Sequence, residues 1–214
     1  MQTELISMQQ SFILKSTVPT HILDPMNQYL DQLLEDAKSI SHADKLVGRI
    51  KGGKQLTISP QEKRVKLFIN TIQEMSLSYY QHFHKINGTS NPLGKIVDVQ
   101  DIWSVHCYAG DYNPLHNHLC DTLQGLSGIL YTKVPPTIQE NTTLDGCLEF
   151  VFGRTPATGS LTFTFSQSSI RRPAVGDIYL FPNWLEHMVY PFDGEGERRS
   201  VAFNVNFWDI ETST

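Results

Sequence analysis

The sequence has few cysteines and no long apolar run, and each absence excludes a class of protein. Its three cysteines, Cys107, Cys120 and Cys147, are odd in number and lack C-x-x-C spacing, which predicts reduced, mostly buried thiols. No apolar segment approaches the ~20 residues of a membrane span. The first residues carry Glu4 early and only a short apolar stretch at 12–14, unlike a signal peptide. We therefore expect a cytoplasmic protein that makes no membrane contact.

Basic residues are also in the minority. The 17 Lys and Arg residues against 22 Asp and Glu give a net charge of −5. Phosphate binding needs clustered cations on a basic surface, so we expect no nucleic-acid partner. The balance of 40% apolar and 18% charged residues is that of a globular protein. The length suits one large domain, and we expect residues 1–214 to form it.

Helical patterns dominate residues 1–94. Asp24 as N-cap, followed by Pro25 at the first helical position, predicts the start of one helix. Ser59, followed three residues later by Glu62, forms a capping box that predicts the start of another. The apolar stripe of the second helix recurs at helical spacing and consists of Val65, Phe68, Ile69, Ile72, Met75, Tyr79 and Phe83.

Residues 95–210 change to an alternation of period two. Short segments rich in aromatic and β-branched residues are separated by turns of Gly, Pro and Asn, which is typical of strands. This order predicts a mostly β protein, an antiparallel barrel or jelly roll with the N-terminal helices packed on one sheet. The predicted strands lie at 97–108, 126–134, 147–153, 160–166, 176–181 and 200–210.

The last predicted strand has two different faces. Alternate residues of a strand point to the same side. One face is apolar and is predicted to pack against helices, whereas the other predicts a barrel interior that binds a polar ligand. The apolar face consists of Val201, Phe203, Val205 and Phe207, and the polar face of Arg198, Ser200, Ala202, Asn204 and Asn206.

Three of the 8 histidines form the candidate site. His116 and His118 lie one residue apart, so on a strand both could reach one ion, although two polar residues on a solvated edge would look the same. His187 follows a strand and a Pro-containing turn in an apolar setting, where an unpartnered imidazole is costly. Together they predict a metal site, with three open positions for substrate, cofactor and O2.

These segments resemble the 2-oxoglutarate/Fe(II)-dependent oxygenases. The family pattern is His-x-Asp/Glu, a distant His and then Arg-x-Ser, and the matching pieces are "HNHLCDTLQGLSGILY", "GCLEF", "FPNWLEH" and "GERRSVAFN". The resemblance covers residues 100–208 and is greatest to a microbial and phage branch. It implies a double-stranded β-helix (a jelly roll or cupin-like fold) and an Fe(II) centre at His116, His118 and His187. A virus-encoded protein acting in a host cytoplasm fits that branch.

The resemblance also implies a site for 2-oxoglutarate. The distal carboxylate would pair with Arg198, whose planar fork suits a carboxylate, and would accept a hydrogen bond from Ser200. Alternation favours Arg198 over Arg199, because Arg198 shares the inward face with Ser200. Tyr131 is a further candidate donor, with a core aromatic as the alternative.

The implied activity is a dioxygenase that uses Fe(II), 2-oxoglutarate and O2. It would hydroxylate an unidentified substrate, a small molecule or a peptidyl group, and release succinate and CO2. Aromatic residues near the mouth of the barrel are candidates for substrate contacts, and core packing is the alternative for each. They are Trp103, Tyr108, Trp184 and Tyr190.

Several alternatives remain open. His118 stands where the family has a carboxylate, so Zn²⁺ or Cu²⁺ would also suit the three imidazoles, and Asp121 is another candidate ligand. A three-histidine cupin, acting as a dioxygenase, an isomerase or a small-molecule binding module, shares the spacing from Gly110 to His116. A structural jelly roll without a metal is a third class. The N-terminal helices would cover the barrel or form a homodimer surface.

Overall fold

The computed structural model describes residues 11–89, 95–119, 125–140, 142–153 and 167–209. The strand predicted at 160–166 lies outside these ranges. Within them, no helix combines the length and apolar character needed to cross a membrane.

Within the described ranges, ten strands form two antiparallel sheets, which confirms the prediction of a mostly β protein. In chain order they are β1 (Leu14–Thr17), β2 (Lys54–Thr57), β3 (Lys95–Cys107), β4 (Asn113–His116), β5 (Gly125–Lys133), β6 (Leu148–Val151), β7 (Ser168–Arg171), β8 (Asp177–Pro182), β9 (Glu186–Val189) and β10 (Arg198–Asp209). The large sheet has the order β1-β8-β5-β10-β3-β2, and the small sheet has the order β4-β9-β6-β7.

The strands that the sequence pattern did not predict are short. β1, β2, β4, β7 and β9 have four residues each, too few for an alternation to stand out. Two of them, β1 and β2, come from the helical N-terminal part of the chain and form the two edges of the large sheet.

Helix α1 (Thr20–Glu35) begins earlier than predicted. Pro25 lies inside the helix, and Asp24 is not its N-cap; the backbone N–H groups of Ile22 and Leu23 instead donate to Pro19 O. Starting the helix at Thr20 loses only the hydrogen bond that Pro25 cannot donate. It buries Ile22 and Leu23, and that apolar burial outweighs the loss.

Helix α2 (Lys66–Asn87) begins later than predicted. Ser59 Oγ accepts from Gln61 N at 3.3 Å, so the predicted capping box does not form, and Glu62 caps a 3₁₀ turn at Lys63–Val65 instead. The predicted apolar stripe is confirmed, since all seven of its residues belong to one hydrophobic cluster. The short helix α3 (Pro136–Gln139) follows β5.

Residues on the apolar face of β10 contact residues of both helices. Phe203 meets Phe68 of α2 edge to face, with ring centroids 5.7 Å apart. Val201 and Val205 lie in the same cluster as Met26 and Leu30 of α1. The opposite face of the large sheet turns toward the small sheet, and the space between the two sheets contains the candidate site.

Candidate active site

The structure brings His116, His118 and His187 together. His116 ends β4 and is the direct cross-strand partner of His187 on β9. His118 follows two residues later, where its backbone N–H donates to Asn183 O at 2.8 Å. The ring centroids are 4.3 to 5.3 Å apart. One nitrogen from each ring lies within 4.8 Å of the others, which makes the group a candidate metal site.

Each of the three imidazoles is oriented through its Nδ1 atom. In His116 and His187, Nδ1–H donates to a backbone carbonyl two residues earlier, at 2.7 and 2.9 Å. In His118, Nδ1 lies 2.8 Å from Asn204 Oδ1, which also accepts from Ser127 Oγ. A proton on Nδ1 leaves the Nε2 lone pair free for a metal, and such orienting hydrogen bonds are a regular feature of histidine ligands.

Burial keeps these imidazoles neutral. Desolvation lowers the pKa of His116, lowers that of His118 to about 4, and lowers that of His187 well below its usual 6.5. A metal binds the neutral ring, so the cluster does not have to lose protons before it takes an ion near neutral pH.

The donor set fits a divalent first-row transition metal. The described cluster contains three imidazoles and no carboxylate. Imidazole suits iron, zinc, copper and nickel, so the donors alone do not select among them. The alternative ligand Asp121 lies outside the described residues.

Arg198 is a buried cation without a carboxylate partner among the described residues. Its side chain lies over the Phe192 ring at 5.3 Å, and Nη1 donates to Tyr190 O at 2.9 Å. Burial raises the pKa of the neighbouring Cys107 thiol, and the positive charge of Arg198 partly opposes that shift. Only 2% of Arg198 is exposed. A buried guanidinium left without an anion is costly, which indicates space for an anionic ligand.

Tyr131 and Ser200 lie between Arg198 and the histidines. They are cross-strand partners on β5 and β10, and Ser200 lines the same cavity as the three histidines. The Tyr131 hydroxyl is buried and has no hydrogen-bond partner in the described structure. Burial raises its pKa, and Arg198 opposes that shift. Arg198 is two residues from Ser200, about 7 Å along the strand.

Arg199 lies on the other side of the sheet. Its Nε and Nη2 donate to the two oxygens of Glu197, each at 2.8 Å, and Nη2 also reaches Asp31 on α1 at 2.7 Å. Its charge is therefore neutralised by carboxylates of the protein itself.

The cavity between the sheets has a volume of about 40 Å³. Trp103 lines it and lies near His118, with ring centroids 5.8 Å apart. The other predicted aromatic residues do not line this cavity. Trp184 is about half exposed, and the Tyr190 hydroxyl donates to Glu149. Tyr108 is half-buried, and its backbone N–H donates to Asp111.

Sequence reasoning gave no role to three polar residues of this cavity region. Asn204 had a signal, because alternation along β10 placed it on the inner face, and it orients His118. Gln55 and Asn113 line the cavity from two short strands without a recognisable pattern.

A family model described as "Putative 2OG-Fe(II) oxygenase" matches residues 101–204. The match contains His116, His118, His187, Arg198 and Ser200. Solved structures of such oxygenases also share the fold of the chain. The two comparisons confirm the resemblance to the 2-oxoglutarate/Fe(II) oxygenases. The cofactors used by this superfamily agree with the predicted Fe(II), 2-oxoglutarate and O2.

The similar structures extend over most of the chain. A Pseudomonas putida prolyl-4-hydroxylase has a TM-score of 0.60 at 13% identity, with 92% of both chains covered. A Trichoplax adhaerens prolyl hydroxylase in complex with a hypoxia inducible factor peptide fragment has a TM-score of 0.59 at 13% identity, covering 92% of this chain and 84% of the other. HygX from Streptomyces hygroscopicus, with nickel, 2-oxoglutarate and hygromycin B bound, has a TM-score of 0.56 at 13% identity, covering 92% of this chain and 83% of the other.

At these identities the structural likeness establishes the jelly-roll fold of the oxygenases and nothing finer. No protein of curated function matches the chain.

Proposed function

We propose that this chain is an Fe(II)- and 2-oxoglutarate-dependent dioxygenase that hydroxylates its substrate and releases succinate and CO2. One observation carries the proposal: Arg198, a buried guanidinium with no carboxylate partner among the described residues, shares the inner face of the barrel with three histidines that have one nitrogen each within 4.8 Å of the others. A metal-binding cupin needs the histidines but has no use for this arginine.

The proposed ligands of the iron are His116, His118 and His187. Bound Fe(II) supplies the activation of O2, which is coupled to the oxidative decarboxylation of 2-oxoglutarate. The protein holds each imidazole in the ligand tautomer through its Nδ1 hydrogen bond. Such fixed orientation lowers the cost of assembling the site.

The proposed site of 2-oxoglutarate consists of Arg198, Ser200 and Tyr131. Arg198 would pair with the distal carboxylate in a bidentate ion pair. Tyr131 would donate its free hydroxyl to the same molecule, which would give this buried O–H the partner that it lacks.

The same proposal includes the organisation of the chain. We infer that residues 1–214 form one domain in which α1 and α2 cover the outer face of the large sheet. The shared hydrophobic cluster of the helices and of β3, β5, β8 and β10 supports this inference. Both a peptidyl and a small-molecule substrate agree with the structural neighbours, which include complexes of both kinds.

The test is an anaerobic titration of metal-stripped protein with Fe(II) and then 2-oxoglutarate, followed by visible absorption. We expect a new charge-transfer band that requires both additions. His187→Ala should lose the metal and the band. Arg198→Met should keep the metal but require more 2-oxoglutarate. Bound Fe(II) without a band would reject the proposal and favour a three-histidine cupin.

A further inference from the structure

Gln55 and Asn113 face each other across the opening between the two sheets. Gln55 lies on β2, the edge strand of the large sheet, and Asn113 lies on β4, the edge strand of the small sheet. Both side chains line the cavity that contains the three histidines. Two carboxamides from separate sheets therefore border one opening beside the candidate metal site.

Neither carboxamide has a hydrogen-bond partner among the described residues. Gln55 is only 5% exposed. Among the described residues, the buried side-chain polar atoms without a partner are the Tyr131 and Thr132 hydroxyls, so the Gln55 amide instead borders the open space of the cavity. The polar atoms of Gln55 are thus available to a molecule in the cavity.

The two carboxamides converge on the space beside Gly48. A Cβ atom on Gly48 would lie 2.6 Å from Asn113 Oδ1 and 2.8 Å from Gln55 Nε2. The backbone of Gly48 does not require glycine, since its φ lies outside the left-handed region. A side chain at position 48 would therefore displace the ends of both amide side chains from the point on which they converge.

The lining of the cavity is uncharged. Apart from the histidines and Ser200, its described residues are glycine, aliphatic or aromatic residues and these two amides, with no Lys, Arg, Asp or Glu. A charged group placed there would be desolvated without an ion pair. A carboxamide offers both N–H donors and a C=O acceptor, so two carboxamides can bind the C=O and the N–H that a trans peptide group carries on its opposite sides.

We propose that Gln55 and Asn113 form an amide-recognition subsite, with Gly48 providing the space, that binds an uncharged peptide group of the substrate next to the metal centre. This inference rests on the proposed oxygenase function and specifies its substrate as peptidyl. The subsite would position the C–H bond beside the bound peptide group toward the histidine cluster.

The test is a titration of the full-length, zinc-loaded, ¹⁵N-labelled protein with N-acetylglycine N-methylamide, followed by NMR of the side-chain NH2 groups. We expect saturable shifts of the Gln55 and Asn113 signals. Methyl N-acetylglycinate, an ester that lacks the second N–H, should bind at least tenfold more weakly, because one amide oxygen loses its donor. Equal binding of the ester, no saturable shift, or tighter binding of uracil would overturn the proposal.

Three variants make the test specific. Gly48→Ala should weaken probe binding by displacing the ends of both amides, and Gln55→Leu should abolish it by removing the polar atoms. Gln81→Leu, at an exposed position of α2, should bind the probe as the parent protein does. If Gln55→Leu does not fold, Gly48→Ala still decides, since probe binding unchanged in Gly48→Ala would contradict the subsite.

The iron titration separates this inference from the proposed function. A charge-transfer band together with no binding of the amide probe would overturn the subsite and keep the oxygenase. Amide binding without a band would support the subsite and reject the oxygenase.

Discussion

The two adjacent arginines of β10 are both buried, yet only one of them has carboxylate partners among the described residues. Arg199 points toward α1 and meets two carboxylates, Glu197 and Asp31. Arg198 points between the sheets and has no carboxylate partner in the described part of the chain. One residue of register therefore separates a guanidinium that the fold neutralises from one left for a ligand.

Arg199, the outer arginine, belongs to a network of ion pairs and hydrogen bonds, called the outer group below. Glu197 also lies 2.6 Å from His106 Nδ1, and the other ring nitrogen of His106 lies 2.9 Å from Ser104 Oγ. Lys133 reaches Asp31 at 2.7 Å. This group joins α1 to three strands of the large sheet, which is a structural role. The inner arginine carries the cost of an unneutralised charge, as binding sites often do at the expense of stability.

Of the variants that test this comparison, Arg199→Met should reduce the stability of the protein most. It leaves Glu197 buried with fewer partners, and removing one member of a buried ion pair costs about 3–5 kcal/mol of the free energy of unfolding. Urea denaturation at neutral pH measures this loss. The affinity for 2-oxoglutarate of the folded variant should not change. A stable variant with weakened 2-oxoglutarate binding would mean that the two arginines have the reverse roles.

Acidification should weaken the outer group. Burial tends to raise the pKa of Glu197, but hydrogen bonds from His106 and Arg199 outweigh it and lower the pKa from 4.5 to about 2. Because the pKa is lower in the folded state, the stabilisation is complete above pH 4.5 and is lost as the pH falls toward 2. The full contribution is on the order of 3 kcal/mol.

Glu197→Gln is the matched variant for this pH dependence. It should be less stable at neutral pH and should lose less stability between pH 4.5 and the acid limit of folding. Urea denaturation of both proteins across that range measures the difference. Parallel profiles would show that Glu197 does not account for the acid sensitivity.

Arg198→Met should change stability in the opposite direction from Arg199→Met. Without a carboxylate partner, the buried charge is a net cost, so the ligand-free variant should unfold at equal or higher urea concentration than the parent. Its affinity for 2-oxoglutarate should fall about 30-fold, near the 2 kcal/mol of a charge-assisted hydrogen bond. Calorimetry on the metal-loaded protein measures this loss. Reduced stability with unchanged affinity would make Arg198 structural.

Tyr131→Phe should have the smallest effect on stability and on 2-oxoglutarate affinity. It removes a buried hydroxyl that has no partner in the described structure, so stability should stay within about 0.5 kcal/mol of the parent. If the hydroxyl donates to 2-oxoglutarate, affinity should fall about fivefold, as for one neutral hydrogen bond near 1 kcal/mol. Unchanged affinity would leave Tyr131 as a core aromatic.

Residue patterns predicted the long elements better than their ends. The stripe of α2 and the two faces of β10 follow from periodicity, which depends only on local geometry. The starts of α1 and α2 differ from the predicted caps, because burial of Ile22 and Leu23 and the 3₁₀ turn before Lys66 depend on packing. The buried state of the free thiols Cys107 and Cys147 is confirmed. Cys120 lies outside the described residues.

The sequence by itself determined the chemistry that is present: two histidines at strand spacing, a third after a turn, and an arginine in phase with a serine. Alternation also decided which arginine faces inward, because side chains of a strand point to opposite sides in turn. Only the tertiary structure decided what those groups meet. The pairing of β4 with β9 brings His116 to His187, and the large sheet presents Asn204 to His118. Such contacts join residues far apart in the chain, so no local pattern records them.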